Sequence, residues 1–140
     1  MNAGAPSAPD EVADRLELLE LQAAYGFIID DRDWNGLSRV FTPDGVFDVS
    51  DLELGVHSGL DGIGAGLAQM KHPIAHHCTN IVISLDPDGR RAKMKSKYIV
   101  PTTAGKTVTG EYHDDALRTD GGWRIEVRRV IRRRPRPDSF

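Results

Sequence analysis

The second half of the chain constrains its architecture most. From Ala75 onward the residues alternate with a period of two, interrupted by turn residues. Ile81-Val82-Ile83-Ser84-Leu85 is a β-branched run closed by Asp86-Pro87-Asp88-Gly89, the composition of a hairpin turn. Ala92, Met94, Ser96, Tyr98 and Val100 then alternate with Lys93, Lys95 and Lys97, which predicts a strand with one apolar and one charged face. Val108 to Leu117 and Trp123 to Ile131 read as two further strands, separated by Thr119-Asp120-Gly121-Gly122. Helical patterns come first and antiparallel hairpins afterwards, so the expected class is α+β.

Upstream, residues 11–31 (EVADRLELLELQAAYGFIIDD) are expected to form one helix. At roughly 100° per residue, Val12, Leu16, Leu19 and Ala23 share a stripe to which Asp30 returns, while Asp31 points with Glu17 and Glu20 to the wet side. The second half of this helix is apolar nearly all round, which predicts burial on more than one side. A short helix is expected from Trp34 to Phe41, a turn at Thr42-Pro43-Asp44-Gly45, and a first strand at Val46 to Val49. The glycine-rich stretch Gly55 to Met70 reads as a loop with a weak helix near Ile63–Met70. Residues 1–9 are small and Pro-containing and read as a disordered lead, 10–132 as one domain, and 133–140 as a basic tail halted by its prolines.

A chain of 140 residues is long enough to close one core or to wrap a ligand cavity. A net charge of −3 offers no general attraction for nucleic acid or for anionic membranes. No apolar stretch approaches the roughly 20 residues that span a bilayer, and no secretory signal is expected. The single cysteine, Cys78, rules out an internal disulfide and fits a reducing compartment, so the cytoplasm is the expected location.

Several residues stand out as candidates for chemistry. Asp30 is a carboxylate on an apolar stripe, and such a group usually has a partner, a task or a capping role. Tyr25 lies about 140° from it around the helix, so both can border a cavity at the helix end; the plainer reading of Tyr25 is a core aromatic. His76 and His77 open a strand, and strict alternation puts His77 with the apolar set. On the last strand, Trp123, Ile125, Val127 and Ile131 are apolar, Arg129 sits among them, and Arg128 falls on the opposite face. An inward arginine requires a carboxylate, with Asp114 the candidate, or a substrate oxygen. Tyr112 and Asp114 share a face with Gly110. His57, His72, His76 and His77 lack metal-binding spacing, so no metal is expected, and Gly62-Ile63-Gly64-Ala65-Gly66 lacks the context of a phosphate loop.

In order and spacing, several segments resemble the SnoaL-like group of the nuclear transport factor 2-like superfamily. They are Tyr25…Asp30-Asp31-Arg32-Asp33-Trp34, Leu37…Phe41-Thr42-Pro43-Asp44-Gly45, His76-His77-Cys78-Thr79-Asn80, Gly110-Glu111-Tyr112-His113-Asp114 and Asp120-Gly121-Gly122-Trp123-Arg124-Ile125. The resemblance implies a cone-shaped curved mixed sheet around the long N-terminal helix, an apolar pocket open at one end, and homodimers or homotrimers formed through the sheet. Within the superfamily the chain looks most like scytalone dehydratase and bile-acid dehydratase. There, a Tyr and an Asp of the first helix and a His at a strand start perform acid–base work.

By that resemblance Tyr25, Asp30 and His76 are the expected catalytic residues, with His76 preferred over His77. Tyr98, Tyr112, Arg129, Trp34 and Asn80 are expected to contact substrate. The second His or Asp of those dehydratases is missing from Lys95–Pro101, where Tyr98 or Ser96 would have to substitute. The implied activity is cofactor-independent dehydration or isomerisation of a hydrophobic cyclic substrate, polyketide, steroid-like or terpenoid. Polyketide cyclisation and non-catalytic binding are the alternatives. A cavity plugged by Trp34, Phe27, Phe47 and Met94 would mark the non-catalytic case.

Overall fold

The computed structural model describes residues 10–140; the lead expected over 1–9 lies outside the described residues. Helix α1 (Glu11–Asp30) begins at Asp10, whose side chain accepts from the Ala13 amide, and is followed by a 3₁₀ turn (Trp34–Arg39) capped by Asp33. Strand β1 (Phe41–Asp48), a second 3₁₀ turn (Ser50–Leu52), the short β2 (Val56–Ser58) and helix α2 (Gly59–Gln69) come next. Strands β3 (His77–Leu85), β4 (Arg91–Pro101), β5 (Thr107–Thr119) and β6 (Gly122–Arg132) complete the chain.

The six strands form one sheet in the order β2-β1-β6-β5-β4-β3. All pairs are antiparallel except β1 with β6, so the sheet is mixed. It curves over α1, and the expected α+β architecture is the one observed. The alternation read on β4 holds without exception from Ala92 to Val100, with the lysines outward. Two upstream expectations change. The Thr42–Gly45 turn is absorbed into β1 as an irregularity against β6, and the Gly-rich stretch becomes an 11-residue helix. Part of the reason is local packing: a Cβ on Gly66 would collide with the His57 ring, so the missing side chain lets β2 lie against α2. Among the described residues no helix is long and apolar enough to cross a membrane.

The face that α1 buries is not the one its apolar stripe points to. Val12, Leu16 and Leu19 are exposed, as is Ala23, whereas Asp14, Leu18, Leu21, Gln22, Tyr25, Ile28 and Ile29 are buried. A count of apolar positions misses this because the inner face carries two polar residues with buried partners. Asp14 accepts from the Trp123 indole at 3.1 Å and from Arg118; Gln22 donates to Asp114 at 2.8 Å.

The last strand also departs from simple alternation. Asp115 pairs with Val127 but Ala116 with Ile125, so Glu126 is an extra residue in β6. Such a bulge reverses which side chains face inward beyond it. Arg128, not Arg129, therefore enters the core, fully buried, and Arg129 lies at the surface with Asp115 at 3.2 Å.

The Arg128 guanidinium donates to Asp114 from Nε and from Nη2, each at 2.9 Å, and also to Gln22. It lies between two aromatic rings, 4.1 Å from the centre of Tyr25 and 4.0 Å from that of Tyr112. Removing one partner of a buried ion pair strands the other charge and typically costs about 3–5 kcal/mol. Asp114→Ala is therefore expected to lower unfolding stability in urea by about that amount. Pairing it with Arg128→Met should restore much of the loss. A single-variant loss under about 1 kcal/mol, the range of a surface pair, would show that the cluster does not anchor the helix to the sheet.

Candidate active site

Asp30 closes α1, and its carboxylate receives the segment that leads into β3. The His76 amide donates to both carboxylate oxygens at 3.1 Å, and His76 Nδ1 lies 2.6 Å from Oδ1. A carboxylate only accepts, so Nδ1 carries the proton and Nε2 keeps its lone pair. The close approach depends on Gly26, one turn before Asp30, because a Cβ there would stand 3.0 Å from the His76 carbonyl oxygen. The pair is largely buried, with side-chain exposures of 12% for His76 and 23% for Asp30.

His76 and not His77 turns inward, against the alternation argument. Thr79 pairs with Lys97 but Val82 with Lys95, placing one extra residue in β3, and Asn80 there adopts a left-handed φ of 53°. Beyond this bulge Ile81, Ile83 and Leu85 face the helix; before it, His76 and Cys78 do. Asn80 is itself exposed and lies outside the cavity walls, so its expected contact with substrate is not supported.

His76 forms part of the wall of a cavity of about 350 Å³, together with Tyr25, Tyr98 and Tyr112. That volume falls within the usual range for small-molecule pockets. Ile29, Phe47, Val49, Leu67, Val100 and Val130 make most of the remaining wall apolar, and Lys71, His72, Thr102 and Thr103 add polar groups. Of the four residues whose side chains would mark a plugged cavity, Phe47 alone belongs to the wall. Phe27 is 71% exposed, and Met94 is packed against Gln22. Asp30 sits behind His76, bordering a separate groove between α1 and β3.

Trp34 lies off the cavity with its ring tilted against His72 at 6.0 Å. Arg129, displaced by the bulge in β6, is also away from it. Sequence reasoning passed over His72, Arg128 and Gln22. No periodicity marks His72, which lies between α2 and β3; Arg128 and Gln22 are legible only once the bulge and the inner helix face are known. Among the described residues no group of three or more His, Cys, Asp or Glu side chains is placed to hold a metal ion.

Burial shapes the electrostatics. Desolvation lowers the His76 pKa below its ordinary value, and the Asp30 hydrogen bond and charge offset this only in part. Burial pushes Tyr25 up to about 12, with Arg128 pulling the other way, and raises Tyr98 and Tyr112 as well. The three phenols thus remain hydrogen-bond donors at neutral pH. Tyr98 is packed over Gly110, where a Cβ would collide with its ring, and its hydroxyl has no hydrogen-bond partner among the described residues.

A model of the SnoaL-like domain matches residues 10–129. The chain belongs to this family. An uncharacterised protein of Mycobacterium tuberculosis is 34% identical to it over 131 residues, covering 86% of this chain and 85% of the relative. A solved protein of unknown function from the same organism superposes with a TM-score of 0.78 at 28% identity, over 91% of this chain and 81% of that one. A nuclear transport factor 2-like protein with a cystatin-like fold from Novosphingobium aromaticivorans gives 0.77 at 22% identity, over 91% and 87%. From the same bacterium, a protein described as a putative scytalone dehydratase gives 0.70 at 18%, over 88% and 86%. These last two likenesses establish the shared fold.

Asp30→Asn removes the influences that raise the His76 pKa, so the His76 ring is expected to titrate at still lower pH, followed by NMR of the ring protons. The same sign governs stability. A histidine with a depressed folded pKa contributes stability above its unfolded value of 6.5 and loses it as pH falls toward the folded value. Unfolding midpoints of the Asn variant should therefore drop further than wild type below pH 6.5. An unchanged or raised His76 midpoint would refute this account of the pair.

Proposed function

We propose that this SnoaL-like protein is a cofactor-independent lyase or isomerase that forms an enolate on a hydrophobic cyclic ketone. The observation that carries the reading is the 2.6 Å contact of Asp30 with His76 Nδ1, made by a ring that borders an apolar cavity shared with three tyrosines. His76 Nε2 takes the proton α to the substrate carbonyl, while Asp30 holds the tautomer and stabilises the imidazolium that forms. Tyr25 and Tyr98 donate hydrogen bonds to the developing enolate oxygen, a role suited to phenols that stay protonated. The lowered His76 pKa keeps the base neutral and ready at pH 7. A largely apolar wall favours a ring-shaped, weakly polar substrate of polyketide, steroid-like or terpenoid character.

Isomerisation returns the proton at another carbon, whereas dehydration expels a β-hydroxyl. Aldol cyclisation, the third related reaction, needs the same base and enolate donors. The test is turnover of a panel of cyclic hydroxy-ketones by wild type, His76→Ala, Asp30→Asn and Tyr25→Phe. Loss of the base or a donor is expected to reduce kcat by about 10²–10⁴-fold. Undiminished turnover in both His76→Ala and Asp30→Asn would reject the pair as the catalytic base.

A further inference from the structure

We infer that His72 is a second catalytic histidine, the acid that protonates the hydroxyl leaving a β-hydroxy ketone. The inference rests on the enolate reading above and deepens it. Enolate formation places the substrate proton on His76 Nε2, which faces the α carbon; a donor already aimed at the β-hydroxyl spares that imidazolium from having to reach it. Tyr25 is a poor source, because burial makes its hydroxyl a weaker acid than a free phenol. Ser96 is buried but absent from the cavity wall.

His72 meets the geometric demands. It borders the same cavity, and its ring centre lies 6.1 Å from that of His76. The two rings touch edge to face on one wall, so a substrate lying against both can present a Cα–H to one and the vicinal hydroxyl to the other. Nε2 of His72 lies 2.7 Å from the Leu67 carbonyl at the end of α2. A carbonyl only accepts, so that nitrogen donates, joining the Met70 amide on the same helix-end oxygen. Nδ1 is left for a ligand, having no hydrogen-bond partner among the described residues. The Trp34 ring at 6.0 Å supports the imidazole from outside the cavity, which gives Trp34 a positioning role.

The step balances as follows. The Cα–H bond breaks, its proton goes to His76 Nε2, and its electron pair resides on the carbonyl oxygen as an enolate. That pair then returns to form the C=C bond as the C–O bond breaks. The departing oxygen takes the Nδ1 proton of the His72 imidazolium and leaves as water, and the neutral ring keeps its Nε2–H on Leu67. His76 afterwards loses its proton to solvent and His72 regains one, so no further reactant is consumed.

Two measurements on the full-length protein separate this role from a structural one. The first is exchange of the α-protons of tetralone with deuterium, which needs the base and enolate donors but no leaving group. The second is loss of water from a β-hydroxytetralone, which gives a naphthol. His72→Gln keeps an amide N–H able to donate to Leu67 while removing the second nitrogen. The expected result is exchange within threefold of wild type but dehydration slowed by about 10²–10³-fold. Dehydration retained in the variant overturns the inference and leaves the enolate reading standing. A parallel fall in both rates also overturns it, marking His72 as a support for the cavity. Failure of wild type to catalyse exchange overturns the enolate reading and this inference together.

Discussion

A fully desolvated guanidinium organises this fold. Arg128 is removed from water on every side, and an isolated charge in that position would cost far more than a small domain's net stability. It is tolerated because α1 and β5 together supply its environment: Gln22 and Tyr25 from the helix, Asp114 and Tyr112 from the neighbouring strand. The cluster therefore acts as a registration point, since sliding the helix or either strand would separate groups that cannot be left unpaired. The same two tyrosines that cover the cation form part of the cavity wall. Core electrostatics and site geometry are one arrangement in this protein.

The end of the cavity that His76 borders depends on a second, smaller contact. Asp30 terminates the helix and accepts from both the backbone and the ring of His76. A residue outside regular structure is thereby held by two kinds of hydrogen bond, and Gly26 gives it room to approach. Burial and the carboxylate act on the imidazole in opposite directions, and burial prevails. The outcome is an imidazole biased toward its neutral form and oriented by Asp30, beside phenols that burial keeps protonated.

Residues 72 to 76 deserve equal weight with the helix in accounting for the site. His72 bonds a backbone carbonyl at the end of α2, His76 bonds the side chain of the residue that ends α1, and the two rings lie against one cavity. Each histidine has one nitrogen engaged by the protein in a bond whose direction is dictated by its acceptor. That leaves one nitrogen apiece without a hydrogen-bond partner among the described residues and brings together groups from two helix termini.

The amino-acid sequence by itself determined the α+β class, the hairpin succession after Ala75 and the two faces of β4, because short-range alternation and turn chemistry are local properties. Together with its family resemblance, it also singled out Tyr25, Asp30 and His76, which the fold does bring together. Tertiary structure alone decided which arginine of the Arg128-Arg129 pair enters the core, why Asn80 stays outside, and which side of α1 is buried. Two bulges, at Asn80 and Glu126, each shift the pleat by one residue, and an apolar count cannot register an extra residue whose cause is pairing with a distant strand. Likewise the inner face of α1 looked polar because the partners of Asp14 and Gln22 lie about a hundred residues away in the chain. Periodicity reports side-chain chemistry along one element; burial is settled by whatever packs against it.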